Sequence, residues 1–357
     1  MKPVPPLVRH PGEGRGPGSG SSLEVRRNNW IPAFAGMTAK VKGISTILGG
    51  IGVVIGALSL GAVPLPGGFW NGFFHPGIGR EILFDIRLPR ILLGGAVGAL
   101  LASAGCALQG LLRNPLGDPY LLGVSGGAAL GSAIGLLLGV AQPPAAMAGA
   151  FLALAAVLVL SRGGGAPSAT LMVLAGAALH ALTSSILTFI LSQARREEGA
   201  GILFWLLGSL ESPSYGRLLP LLSLAVLVLG GLIAIAPALN LLSMGEETAL
   251  SLGLSPSRYR WAAVLLCAGA TGLAVTLNGV IPFIGLVVPH AARLLVGFDN
   301  RSALPMSAFL GAVLVIGADA VGRTVLAPQE IPVGVVTALV GAPFFLLLLR
   351  RERRKLG

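Results

Sequence analysis

From Gly43 onward the chain alternates between long uncharged apolar stretches and short polar joints. The stretches cover about 44–63, 88–112, 119–161, 168–192, 217–237, 260–278, 282–298, 303–324 and 332–349. Residues 119–161 carry no charge, but "GVAQPP" near 139–144 divides them in two, so ten segments result. Each approaches the roughly 20 residues that cross a bilayer as a helix. Backbone polar groups in lipid have no water to bond, so the segments are expected to be helices rather than open strands. The pattern predicts an all-α polytopic membrane protein of about ten transmembrane helices. "NGVIP" separates the seventh from the eighth, and that boundary is the hardest to draw. A loop carrying Glu81 and Asp85 is expected between the first two. The segment "APALNLLSMGEETALSLGLSPSR" after the sixth is too polar to span.

Residues 1–40 break this pattern. They are rich in Gly, Pro, Ser and Arg and cannot bury enough surface to fold alone. No apolar core follows the first charges at the distance a signal peptide needs. They are read as a disordered or spurious extension, with Met37 as the alternative start. The transmembrane domain is 41–357.

Composition agrees. Hydrophobic residues make up 54%, mean hydropathy is +0.84, and only 11% of residues are charged, against about 25% in soluble domains. The net charge of +11 does not point to nucleic acid, because the basic residues sit at the ends of apolar runs rather than on one soluble face. Their distribution sets orientation instead. With both termini on one side, thirteen Lys and Arg fall there, among them Arg113, Arg258, Arg260, Arg293, Arg301 and five in the tail. Seven fall opposite: Arg80, Arg87, Arg90, Arg195, Arg196, Arg217 and Arg323. The excess marks the terminal side as cytoplasmic. Cys106 and Cys267 lie inside apolar runs with no CxxC or Cys/His cluster, so neither a metal site nor a disulfide framework is expected. Small residues at helical spacing in "GGAVGALLASAG" predict close helix packing.

Several chemistries are missing. No Gly-Lys pair exists, hence no phosphate-binding loop of the form GxxxxGK[ST]. If ATP drives the protein, another polypeptide must hydrolyse it. HExxH and paired catalytic carboxylates are likewise absent from the apolar runs.

A polar island stands out within "IRLPRILLGGAVGALLASAGCALQGLLRNPLGDPYLLGVSGGAALG", residues 86–131. Its Asn-Pro and Asp-Pro pairs force a non-helical link, since residues before proline avoid the helical region. A proline-defined joint at the cytoplasmic end suits a gate. Gln109, inside the preceding helix, is costly in lipid and faces either a pathway or a partner helix.

These residues resemble the FecCD-like permeases, which import iron-siderophores, haem and vitamin B12. "LNLLSMGEETALSLGL" (239–254), "GVIPFIGLVVPHAARLL" (279–295) and "EIPVGVVTALVGAPFFLLLLRR" (330–351) follow in the order of that family, from about residue 44 to the C-terminus. The resemblance implies a homodimer of ten-helix subunits in the bacterial cytoplasmic (inner) membrane. Two ATP-binding-cassette ATPase subunits would bind on the cytoplasmic side, carrying ATP and Mg²⁺, so the chain itself needs no cofactor. A soluble substrate-binding protein would deliver a metal chelate from outside, with ferric siderophore ahead of cobalamin or haem.

Residue by residue, the resemblance assigns Gln109, Asn114, Leu116, Ala169 and Thr170 to the pathway and its cytoplasmic gate. It assigns Met244, Gly245, Glu246, Ala249, Leu250 and Gly253 to ATPase coupling. Arg87, Arg90 and Arg323 would meet acidic residues of the binding protein, with snorkelling to lipid headgroups as the competing role. His290, within "PHAAR", reads as a histidine capping carbonyls, and His180 as a packed one, with contact to substrate in the pathway as the alternative. Asp319, the only acid inside a span, is expected to pair with Arg323 one turn away. The rival class is an ion-coupled secondary transporter, which would want acids or broken helices at the bilayer midplane.

Overall fold

The computed structural model describes residues 31–61, 63, 65–161 and 169–356. Among them every regular element is helical. In chain order these are α1 (Ile31–Ser59), α2 (Gly68–Phe74), α3 (Ile78–Leu112), α4 (Val124–Leu137), α5 (Gln142–Leu160), α6 (Ala169–Gln193) and α7 (Arg196–Leu206). There follow α8 (Tyr215–Ala234), α9 (Ala236–Met244), α10 (Glu246–Ser251), α11 (Pro256–Asn278), α12 (Ile284–Val296), α13 (Asn300–Thr324) and α14 (Val333–Leu356). A 3₁₀ turn, Pro119–Leu122, precedes α4. Residues from Ser45 onward form the main body, and the earlier ones are a separate unit. The expected extension 1–40 lies mostly outside the described residues, but α1 begins inside it, at Ile31.

Six helices are long and apolar enough to cross a membrane: α3, α5, α6, α8, α11 and α13. Four shorter apolar helices, Ser45–Ser59, Val124–Leu137, Ile284–Val296 and Val333–Leu347, fall on the other four expected spans.

Two elements differ from the sequence reading. The loop expected around Glu81 and Asp85 is helical, because α3 starts at Ile78 and runs through a π-helical stretch, Ile82–Arg87. Pro89 has no N–H to give the Asp85 carbonyl, and the wider turn spans that gap. The second is α7, which begins in what the sequence suggested was a polar joint. Glu197 and Glu198 occupy its first turn, where negative charge suits the helix N-terminus. The Glu198 carboxylate accepts from the Arg195 N–H at 3.2 Å.

The core is organised around α3, whose apolar stretch is 83% buried. It packs against α13, α11, α12, α8 and α9. The predicted small-residue face makes this possible. A Cβ on Gly98 would lie 2.1 Å from the Gly311 carbonyl oxygen of α13, and one on Gly105 2.0 Å from the Gly285 oxygen of α12. Backbones approach there as closely as only glycine permits. The helix ends sort by charge as expected. Arg113, Arg260 and Arg293 lie at one end of the bundle with α9 and α10, while Arg87, Arg90 and Arg323 lie together at the other.

Candidate gate, coupling helices and outer charge cluster

The expected gate is the joint between α3 and the 3₁₀ turn. Helix α3 ends as Arg113 turns into the left-handed region at φ 51°. Asn114 then accepts the Leu116 N–H on its own Oδ1 at 2.9 Å, a turn that needs no neighbour. Asn114 and Leu116 are both exposed. Asp118 caps the 3₁₀ turn by accepting the Tyr120 N–H at 2.8 Å. The Tyr120 hydroxyl donates to the Ile281 carbonyl at 2.9 Å and accepts the Ile281 N–H at 3.1 Å, which fixes the joint to the break between α11 and α12.

Thr170, in the first turn of α6, faces Asn114 across a cavity of about 250 Å³ completed by Leu112, Val173 and Leu174. Two of the predicted gate residues, far apart in sequence, are thus brought together. Ala169 opens α6, but its side chain lies outside the described residues. Leu116 does not line the cavity.

Of the two readings of Gln109, the partner-helix contact is the one found, and the pathway role is corrected. Gln109 is buried among helices rather than turned toward a path. Its Nε2 donates to the carbonyls of Gly117, Gly285 and Leu286 at 3.2–3.3 Å, and its Oε1 accepts from the Arg293 guanidinium. Arg293 also reaches the Cys106 carbonyl at 3.1 Å. The close approach of α12 to α3 at Gly105 and Gly285 leaves carbonyls without lipid or water, and Gln109 satisfies them. His180 is corrected in the other direction: it stands on the exposed side of α6 rather than packed inside.

Helices α9 and α10 make up the segment that the resemblance assigns to coupling. Gly245 joins them at φ 135°, ψ 150°, a conformation side-chain-bearing residues avoid. Ala249 is fully buried and anchors α10, whereas Met244 and Leu250 project outward. Glu246 pairs with Arg260 of α11. Gly253, at φ 80°, ends the segment as its N–H reaches the Leu250 carbonyl at 2.9 Å. A cleft of about 700 Å³ runs from Thr170 and Arg113 to Met244, Glu246 and Thr248.

Sequence reasoning missed what holds this segment in place. Arg113, next to the gate asparagine, donates from Nε (3.1 Å) and Nη2 (2.8 Å) to the Leu242 carbonyl of α9. The Asn240 amide of α9 donates to Asp299 at 2.6 Å and accepts from the Asn300 backbone and side chain at 2.9 and 2.8 Å. The lone Asn240 in an apolar run was the available signal, since such a polar group needs partners.

At the opposite end, Arg87, Arg90 and Arg323 converge as predicted, but two of the three face inward. Arg87 is 3% exposed and donates to the Leu58, Ser59 and Val63 carbonyls at 2.7, 2.8 and 2.5 Å. Arg323 is 4% exposed, pairs with Asp319 at 3.0 Å and reaches the Ala57 carbonyl at 3.3 Å. Both cap the C-terminal end of α1, whose last carbonyls have no partner within the helix. The expectation that they are presented to an outer partner is corrected accordingly. Only Arg90 opens outward. It bonds Asp319 at 2.9–3.0 Å and the exposed Glu330 at 2.8 and 3.2 Å.

Helix α6 is the least covered of the long helices, with 11% of its apolar stretch buried. It carries two exposed stripes. One is apolar, with Leu171, Leu182, Ile186 and Phe189, while Leu174 falls on the other. Beside it runs a small and polar stripe, with Ala177, Ala181, Ser185, Thr188 and Ser192, that leads from Thr170 along the helix.

A multi-pass helical bundle with no sheet among its described residues, a proline-bounded joint at one end and an interrupted amphipathic segment beside it has the construction of a transporter permease. The chain belongs to the FecCD transport family, whose match covers residues 48–351. It is 38% identical over 333 residues to a cobalamin import permease of Halobacterium salinarum, covering 91% of this chain and 87% of that one. It is 39% identical over 318 residues to a hemin transport permease of Yersinia pestis, covering 85% and 93%. A solved inward-facing metal-chelate type ABC transporter superposes with a TM-score of 0.78 at 31% identity, over 87% of this chain and 99% of that one. The chain is therefore a permease of the ABC importer type.

Proposed function

We propose that the protein is the membrane-spanning half of an importer for a bulky metal chelate, with ferric siderophore the first candidate and cobalamin or haem next. The observation that carries this is the polar stripe of α6 leading into the Asn114–Thr170 cavity. Ser185, Thr188 and Ser192 give this side of α6 a polar character that suits a water-filled path between two copies better than lipid tails, although each hydroxyl also bonds a carbonyl of its own helix. Two copies placed with these stripes facing would enclose such a path, with Asn114, Leu116 and Thr170 at its cytoplasmic mouth.

In this reading both termini are cytoplasmic, in the inner membrane of a bacterium. ATP and Mg²⁺ reside on two separate ATPase subunits, since this chain lacks a phosphate-binding loop. Met244 and Leu250 offer apolar surface to the ATPase. Arg113 links α9 to the residue before the gate asparagine, so displacement of α9 by the ATPase moves the gate joint. A substrate-binding protein docks at the outer end, and of the three clustered arginines Arg90 is the one that can receive its carboxylate. Ion-coupled transport has less support, because Asp319 is locked between Arg90 and Arg323.

The test is uptake into proteoliposomes holding the permease, its ATPase and its binding protein, with a panel of radiolabelled ferric siderophores, haem and cobalamin. ATP-dependent accumulation of one chelate class is expected. Uptake driven by an ion gradient without the ATPase would overturn the proposal.

A further inference from the structure

The outer cluster contains two carboxylates in opposite situations on one guanidinium. Asp319 has 2% of its side chain exposed and serves both Arg90 and Arg323. Removing it would strand buried positive charge. Glu330 has 47% of its side chain exposed and lies in the segment between α13 and α14. It meets Arg90 with two prongs, Nη1 to Oε1 at 3.2 Å and Nη2 to Oε2 at 2.8 Å. Arg90 itself is 13% exposed. One side of the guanidinium is thus permanently engaged, while its outer side is held by a carboxylate that water can replace.

The segment bearing Glu330 is held beside it at Ile331, whose N–H donates to the Gly322 carbonyl at 2.9 Å and whose side chain packs against the core. Pro332 then leads directly into α14. Glu330 can therefore swing away from Arg90 without unravelling either helix. The planar fork that fits Glu330 fits any carboxylate offered from the outer side.

We propose that Glu330 is a built-in competitor for the acidic docking residue of the outer partner. It occupies Arg90 in the undocked permease, and docking exchanges one carboxylate for another. The proposal rests on the docking reading above. Its consequence is that Glu330 lowers affinity for the partner and keeps Arg90 from pairing with unrelated anions. An ion pair open to water contributes little, so the exchange is nearly balanced.

The experiment measures binding of the purified, fluorescently labelled cognate binding protein to the permease–ATPase complex in nanodiscs across a salt series. Glu330→Gln keeps the shape and removes the charge at an exposed site, so folding is not at risk. It should tighten binding about two- to five-fold at low salt, with the gain fading as salt rises. The gain should vanish in an Arg90→Lys background, which cannot form the fork. If Arg90→Lys weakens binding but Glu330→Gln leaves it unchanged or weaker, the competitor role is wrong and docking at Arg90 stands. If neither variant alters binding, docking at Arg90 is itself wrong and the competitor role goes with it.

Discussion

At the scale of single residues, the polar groups inside the bundle act through the carbonyls they satisfy. Gln109 and Arg87 each carry three main-chain partners, and Arg323 carries one beside Asp319; these contacts decide their roles more than their position along the helix. Sequence alone located all three as unusual. It could not say which way they point, because a helix of small residues such as α3 has no strongly apolar face to break the symmetry. The acid Asp118 is different, since it lies in the joint outside the spans. Burial pushes its carboxyl up to about 6 from an ordinary value of 3.8, against the opposing Tyr120 N–H. The folded protein therefore holds a proton between pH 4 and 6 where the unfolded chain does not. The cost of the buried charge, at most about 3 kcal/mol, is fully present above pH 6 and is relieved as pH falls toward 4. Asp118→Asn keeps the capping oxygen and loses the titration. In detergent, the thermal midpoint of the wild type should rise relative to this variant between pH 7 and pH 5. Parallel midpoints over that range would show that Asp118 is not held in a charge-hostile site.

At the scale of elements, the ten apolar segments were legible because lipid permits so few backbone solutions. What was not legible was α7 and the first ten residues of α3, where charged residues sit on helices rather than in loops. Charge in a helix end at the membrane surface is inexpensive, so it marks the end of an apolar run without marking the end of a helix. The coupling segment was read correctly as an interruption. Its anchoring through Arg113, Asn240 and Asp299 depends on residues 59 to 129 positions apart, which no local pattern encodes. A prediction belongs to this segment. Glu246→Ala with Leu250→Ala removes one exposed charge and one exposed apolar group, while the buried Ala249 keeps α10 seated. The double variant should assemble in the membrane and retain binding-protein affinity, yet lose most ATP-driven uptake. Full uptake, with ATP hydrolysis unaltered, would reduce α9 and α10 to a connector.

At the scale of the whole molecule, the question is which bare surface meets lipid, which a second copy, and which the substrate. Composition cannot answer this, since all three can be apolar. The two stripes of α6 can. Leu182 and Phe189 lie on its apolar stripe, and Ser185 and Ser192 on its polar one. If the polar stripe lines an aqueous path, single cysteines at 185 and 192 should react with a charged, membrane-impermeant maleimide in the assembled, reconstituted transporter. Cysteines at 182 and 189 should react slowly, because a thiol in hydrocarbon does not ionise. The native background is low, for Cys106 and Cys267 are both fully buried. Binding of the substrate-loaded binding protein together with ATP should alter the rates at 185 and 192 and leave those at 182 and 189 unchanged, because only the path opens and closes. The serine hydroxyls bond only groups of their own helix, the Ala181 and Phe189 carbonyls and the Gln193 amide, so the substitutions remove no tertiary contact. Equal labelling of both stripes, or faster labelling of the apolar one, would place the path elsewhere and leave the small polar stripe of α6 as a packing surface between subunits.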